Sequence, residues 1–196
     1  MILVHDFGID LEEYNERGLD NDFPVFNRCP DCNCIAQGNL HRNGFYWRYG
    51  INEHGAFHIP VCRFSCLACK VNISILPSFL IPYFQHTIHM IVKRVREFLG
   101  EKKVHGYRQQ LAQYIKRFCE RLHWIHSFFM DLGYQLGLSK DIKKEALKYV
   151  KMIQDFGEST FFRRSCGHLS SYFMGKLIVP YLRRDLGRVK INCYPT

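Results

Sequence analysis

Four cysteines in two matched pairs are the residues of this chain whose type and spacing best suit chemistry. Cys29 and Cys32 stand in "RCPDCNC" (28–34), Cys66 and Cys69 stand in "RFSCLACK" (63–70), and 33 residues lie between Cys32 and Cys66. A CxxC turn presents two thiolates from one tight loop, and zinc takes four such ligands in a tetrahedron. Two turns therefore complete one shell, provided the intervening chain folds back on itself. A shell of four thiolates has no open position for water or substrate, so the expected Zn2+ is structural and does no catalysis. Arg28, Arg63 and Lys70 flank the pairs and can offset the negative charge left on the centre.

Other uses of these thiols are weaker. The chain has nine cysteines, an odd number that suits a reducing compartment better than a disulfide framework. A thioredoxin-like redox pair needs a strand and a long helix around one CxxC, and neither pair has them. Cys34 and Cys62 lie beside the pairs, and either can replace a neighbour as ligand. His41, His54 and His58 fall between the pairs, but four cysteines already fill the shell. Cys119, Cys166 and Cys193 are scattered and read as packing residues.

The elements that must position the cysteines are legible around them. "GFYWRYGI" and "AFHIPVCRF" flank "NEHG", the Asn and Gly chemistry of a hairpin turn. A strand from Phe45 to Tyr49 is expected to pair with one from Phe57 to Phe64, returning the second CxxC to the first. The prolines of "ILPSFLIPYFQ" stop any helix and mark a connector. From about residue 84 the apolar period becomes helical. Helices are expected over His86 to Leu99, Tyr107 to Leu132, and Ser139 to Phe156, the last with Ser139 as N-cap, and partly over 158–180. The fold class is α+β. Its expected parts are an acidic N-terminal arm (1–27), a four-cysteine zinc ribbon with a β-hairpin (28–76), a proline-containing connector (77–85) and a mostly helical domain (86–196).

Charge points to the partner. The net charge is +9, yet residues 1–27 hold seven acids against Arg17 alone, which leaves +15 on the rest. A basic body implies an anionic partner, and nucleic acid comes first because clustered Lys and Arg release counterions from phosphates. No run is long and apolar enough to cross a membrane, and the first residues lack the basic start of a signal peptide. A cytoplasmic location without membrane association is expected.

"CPDC", the strand "GFYWRYG" and the return "RFSCLAC" resemble the N-terminal zinc ribbon of bacterial insertion-sequence transposases. The following "LPSFLIPY" is similar to a mobile-element-associated family of unknown function, in which a ribbon precedes a helix-turn-helix-like region. The resemblance implies binding of double-stranded DNA, with a transposase or another mobile-element protein as a partner. It does not extend to transposase catalysis, because the acids after the connector fall on helix faces or turns and no strand carries a pair of them.

Residues 92–118 read helix, short glycine-bearing break, helix, the order of a helix-turn-helix. In that arrangement Arg108, Gln109, Gln110 and Gln113 face base edges, while Lys102, Lys103, Lys116 and Arg117 contact phosphates. The competing use of these residues is the polar face of a helical bundle. The expected function is a non-catalytic, DNA-binding, zinc-containing protein. A zinc-stabilised protein-interaction module is the alternative, and a metal-dependent nuclease ranks last.

Overall fold

The structure, a computed structural model, describes residues 1–100 and 108–175, and residues 191–193 by their backbone. Its first strand lies in the segment expected to be an acidic arm. Ile2–His5 (β1) runs parallel to two neighbours, Asn72–Pro77 (β4) and Ile191–Cys193 (β5), in a sheet of order β2-β3-β4-β1-β5. A strand flanked on both sides is internal to its sheet, and "ILVH" is accordingly continuous in apolar residues, with Leu3 and Val4 buried.

Leu11–Arg17 (α1) follows. Asp10 caps it by accepting a 2.9 Å hydrogen bond from the Glu13 amide, and Gly18, at φ 53°, ends it. Leu11 and Tyr14, three apart, turn inward, while Glu13, Glu16 and Arg17 stay exposed. Tyr14 is fully buried and its hydroxyl donates to the Pro60 carbonyl at 2.9 Å. Burial drives that phenol well above its usual range. Phe7, Phe23 and Phe79 meet the Tyr14 ring edge-on. The acidic segment 1–27 is thus built into the sheet and its core, and it is no separate arm.

The expected hairpin is present and longer than its sequence signal. Leu40–Ile51 (β2) pairs antiparallel with Ala56–Cys66 (β3), and the register shifts once, between Arg42 and Phe45. The side chain of Asn52 accepts from the amides of His54 and Gly55, which closes the turn. β3 then pairs antiparallel with β4, so the hairpin is the edge of a mixed sheet and not a free-standing ribbon. The expected connector begins where β4 ends at Pro77 and lies buried through Leu80, Ile81 and Phe84.

Helices make up the second unit, which begins at Ile88, whereas the first ends at Thr87. Ile88–Leu99 (α2) buries Ile88, Ile91, Val92 and Val95 along one stripe. The single long helix expected from Tyr107 is two helices among the described residues, Arg108–Glu120 (α3) and Leu122–Asp131 (α4). The break falls at Arg121, whose buried guanidinium donates twice to the Gly175 carbonyl, at 2.9 and 2.8 Å. Ile142–Phe156 (α5) starts two residues later than a Ser139 cap would place it. Asp141 is the cap, accepting from the Lys143 and Lys144 amides, and Gly157 at φ 84° is the stop. Glu158–Ser165 (α6) completes the set, and Phe128, Phe129, Phe156 and Phe161 form an aromatic cluster between α4, α5 and α6. No helix among the described residues is long and apolar enough to cross a membrane.

Candidate metal centre

The two CxxC segments adopt the same backbone. In the first, the Cys29 amide donates to the Cys34 carbonyl at 2.8 Å; in the second, the Cys66 amide donates to the Val71 carbonyl at 3.1 Å. The flanking pairings match as well, Arg28 with Ile35 and Ser65 with Asn72, each one residue before the first cysteine and six after it. Directly after the second cysteine of each pair comes a residue in the left-handed region, Asn33 at φ 61° and Lys70 at φ 60°. That conformation lifts the chain so that its amides turn back towards sulfur, and only the local gain offsets its cost in a residue with a Cβ.

The amides do point that way. Those of Asp31 and Cys32 hydrogen-bond to the Cys29 sulfur, and those of Ala68 and Cys69 to the Cys66 sulfur. The second cysteine of each pair is served by the residue two further on, Cys34 for Cys32 and Val71 for Cys69. Six backbone dipoles thus converge on four sulfurs, an arrangement that favours thiolate.

β2 and β3 bring the two turns together. The Leu67 amide donates to the Asn39 carbonyl at 2.7 Å, and Leu40 is the ladder partner of Cys66, so the second turn is fixed to the start of the hairpin. Arg28 donates to the Asn33 carbonyl at 3.1 Å and braces the first turn. As a result all four sulfurs lie within 4.8 Å of one another, with Cys29 to Cys69 at 3.9 Å and Cys32 to Cys66 at 3.8 Å. A tetrahedron with metal–sulfur bonds of about 2.3 Å has edges of about 3.8 Å, so these sulfurs need little movement to hold an ion. Cys29 and Cys66 are buried, Cys69 is half-buried and Cys32 faces solvent.

Protonation is uneven across the four. The Cys69 amide, with that of Ala68, pulls the Cys66 thiol down to about 6, and the Cys34 amide lowers Cys32. Desolvation pushes Cys69 up to about 12 and also raises Cys29. A metal must displace protons from Cys29 and Cys69.

Of the cysteines left open by spacing, Cys62 is buried among core side chains and lies outside the cluster. Cys34 is closer, its sulfur 3.7 Å from that of Cys66, and its thiol is pushed up to about 12 because it donates to Cys32. The four-sulfur set does not include it, and His41, His54 and His58 are also outside.

The residues proposed from sequence for DNA fall on α3 and before it. Lys102 and Lys103, with the break itself, lie outside the described residues. Arg108, Gln109, Gln113 and Lys116 are exposed on α3, and Lys116 lies 4.0 Å from Glu120. Gln110 instead accepts from Arg94 at 3.1 Å and Arg117 donates to the Met174 carbonyl at 3.2 Å, so both are engaged within the helical unit.

A group not singled out from sequence stands on β2. Trp47 and Tyr49, half exposed, hold the exposed His58 ring between them, with centroids 5.3 Å from Trp47 and 5.0 Å from Tyr49. Its signal was the alternation Trp47-x-Tyr49 facing His58 across the hairpin. Compared with protein-family models, curated proteins and solved structures, the chain matches none.

Proposed function

We propose that the chain is a non-catalytic DNA-binding protein of a bacterial mobile element, in which a structural zinc ion closes the two CxxC turns. The observation that carries the metal half is the convergence of four sulfurs from two backbone-matched turns. Zinc is the reading because four thiolates in a tetrahedral set suit it, and such a shell leaves no place for a substrate. The cation is therefore a fold element here, and catalysis has no part in the proposal.

Support for DNA comes from charge. The +15 outside the first 27 residues gives the chain a basic body, and α3 offers Arg108, Gln109, Gln113 and Lys116 to solvent. In this reading Arg108, Gln109 and Gln113 meet base edges and Lys116 meets a phosphate, as in a helix-turn-helix. The link to transposases rests on the resemblance of "CPDC", "GFYWRYG" and "RFSCLAC" alone.

A protein-interaction module is the second reading, favoured by the exposure of apolar Ile35 and Leu67 next to the cysteine turns. Salt separates the two. If about four phosphates are neutralised, duplex affinity measured by anisotropy falls about 100-fold between 50 and 200 mM salt. Affinity that is absent at low salt, or that does not change with salt, removes the DNA reading and leaves the interaction module.

A further inference from the structure

We propose that the Trp47–His58–Tyr49 ladder is a stacking platform for the bases of single-stranded DNA, separate from any duplex contact made by α3. This inference deepens the DNA-binding reading and takes its choice of DNA from it.

Three features of the hairpin carry it. The first is exposure: Trp47 is 50% and Tyr49 51% exposed, and the two are bridged into one surface by His58. Isolated surface aromatics are common, whereas this set is contiguous and spans the edge strand and its neighbour. Phe45, two residues before Trp47 on the same strand, does pack inward against Phe23. The strand therefore changes from core to open ring surface along its length.

The second is spacing. Trp47 and Tyr49 point to the same side of β2 and are two residues apart, which is about 6.8 Å along an antiparallel strand. Stacked bases in a duplex advance about 3.4 Å. His58 fills the space between the two rings, so a base stacks on the outer face of each, and two bases that far apart belong to an unstacked strand and not to the edge of a duplex. Every base has a π-face, so such a platform tolerates any sequence.

The third is charge. Arg42 lies on the same strand, exposed, and its guanidinium sits 5.7 Å from the Phe23 centroid and 5.9 Å from that of Phe45. Those rings hold a cation on the same strand, five residues before Trp47, where it meets phosphates further along a bound strand. β2 and β3 carry Arg42, Arg48 and Arg63 and no acid; Arg48 donates to the Phe84 carbonyl, Arg63 lies over the Tyr46 ring, and the turn between the strands carries Glu53.

The test uses the full zinc-loaded chain, a 15-residue oligothymidylate, and the same length of duplex. Trp124 is buried and Trp47 exposed, so oligothymidylate is expected to quench Trp47 fluorescence. Trp47→Ala and Tyr49→Ala should each weaken oligothymidylate binding about tenfold and leave duplex affinity within twofold. Zinc content equal to that of the parent chain confirms that these surface variants are folded. Unchanged oligothymidylate affinity in both variants overturns the platform, as does tighter binding of the matching oligouridylate. A chain that binds duplex but not oligothymidylate also overturns it while sparing the proposed function. Oligothymidylate binding that depends on Trp47 and Tyr49, without duplex binding, supports the platform and removes the duplex reading.

Discussion

The Cys66 thiol is pulled down to about 6 because the backbone amide of Cys69 and that of Ala68 both point at its sulfur. At neutral pH it is ionised before any metal arrives, whereas Cys29 and Cys69, raised by desolvation, keep their protons. Two consequences follow at this scale. Zinc binding near pH 7 should release at least two protons, those of Cys29 and Cys69, so the apparent affinity rises with pH by about 100-fold or more per unit and falls on acidification. A competitive dye titration between pH 6.5 and 7.5 measures the slope, and a flat profile contradicts the assignment. Cys66→Ser should lose the single bound zinc, while Cys34→Ser should retain it, since Cys34 stands outside the four-sulfur set. Metal analysis of the two variants decides; the reverse result would make Cys34 a ligand.

At the scale of elements, the duplicated turn owes its form to Asn33 and Lys70 in the left-handed region. A β-branched residue there is worse than lysine, and glycine is better. Lys70→Val should therefore bind zinc about 5- to 30-fold more weakly than Lys70→Gly, the equivalent of about 1–2 kcal/mol. Gly50 in β2 is constrained differently: a Cβ would lie 2.7 Å from Cδ1 of the buried Leu11, so Gly50→Ala should cost about 1–3 kcal/mol in a denaturant melt. Locality explains what the sequence disclosed at this scale. The CxxC turns, the "NEHG" hairpin and the helix stop at Gly157 depend on neighbours a few residues away, and all three could be read directly. β1 could not be, because its strand character comes from pairing with residues some seventy positions later, and four apolar residues at a chain start carry no period. The break at Arg121 was hidden for a related reason. Phe118, Leu122, Ile125 and Phe129 keep helical spacing through it and are all buried, while the group that fixes the break, the Gly175 carbonyl, is 54 residues away.

For the whole molecule, the candidate metal site and the helices belong to different units, since the four sulfurs lie within Met1–Thr87 and α2 to α6 within Ile88–Leu186. Structural zinc in small sites supplies about 10–16 kcal/mol of apparent binding energy at pH 7, as much as the whole net stability of an ordinary domain, about 5–15 kcal/mol. The sheet unit has its own aromatic core around Tyr14 and Phe23, but the cysteine turns join the segment before β2 to the end of β3, and an ion held by the four sulfurs would tie the two. The helical unit instead buries Val92, Phe118, Ile125, Phe129, Tyr149 and Phe161, an apolar core with no cysteine cluster among its described residues. Chelation should therefore separate the two. A thermal melt with excess chelator should lose or strongly lower one transition and leave the other within a few degrees, with helical ellipticity at 222 nm retained below it. Joint collapse would mean that the helices need the metal-bound sheet to fold. The same sample bears on the DNA reading: if α3 alone grips the duplex, affinity survives chelation, and if the cysteine turns touch DNA themselves, it goes with the zinc.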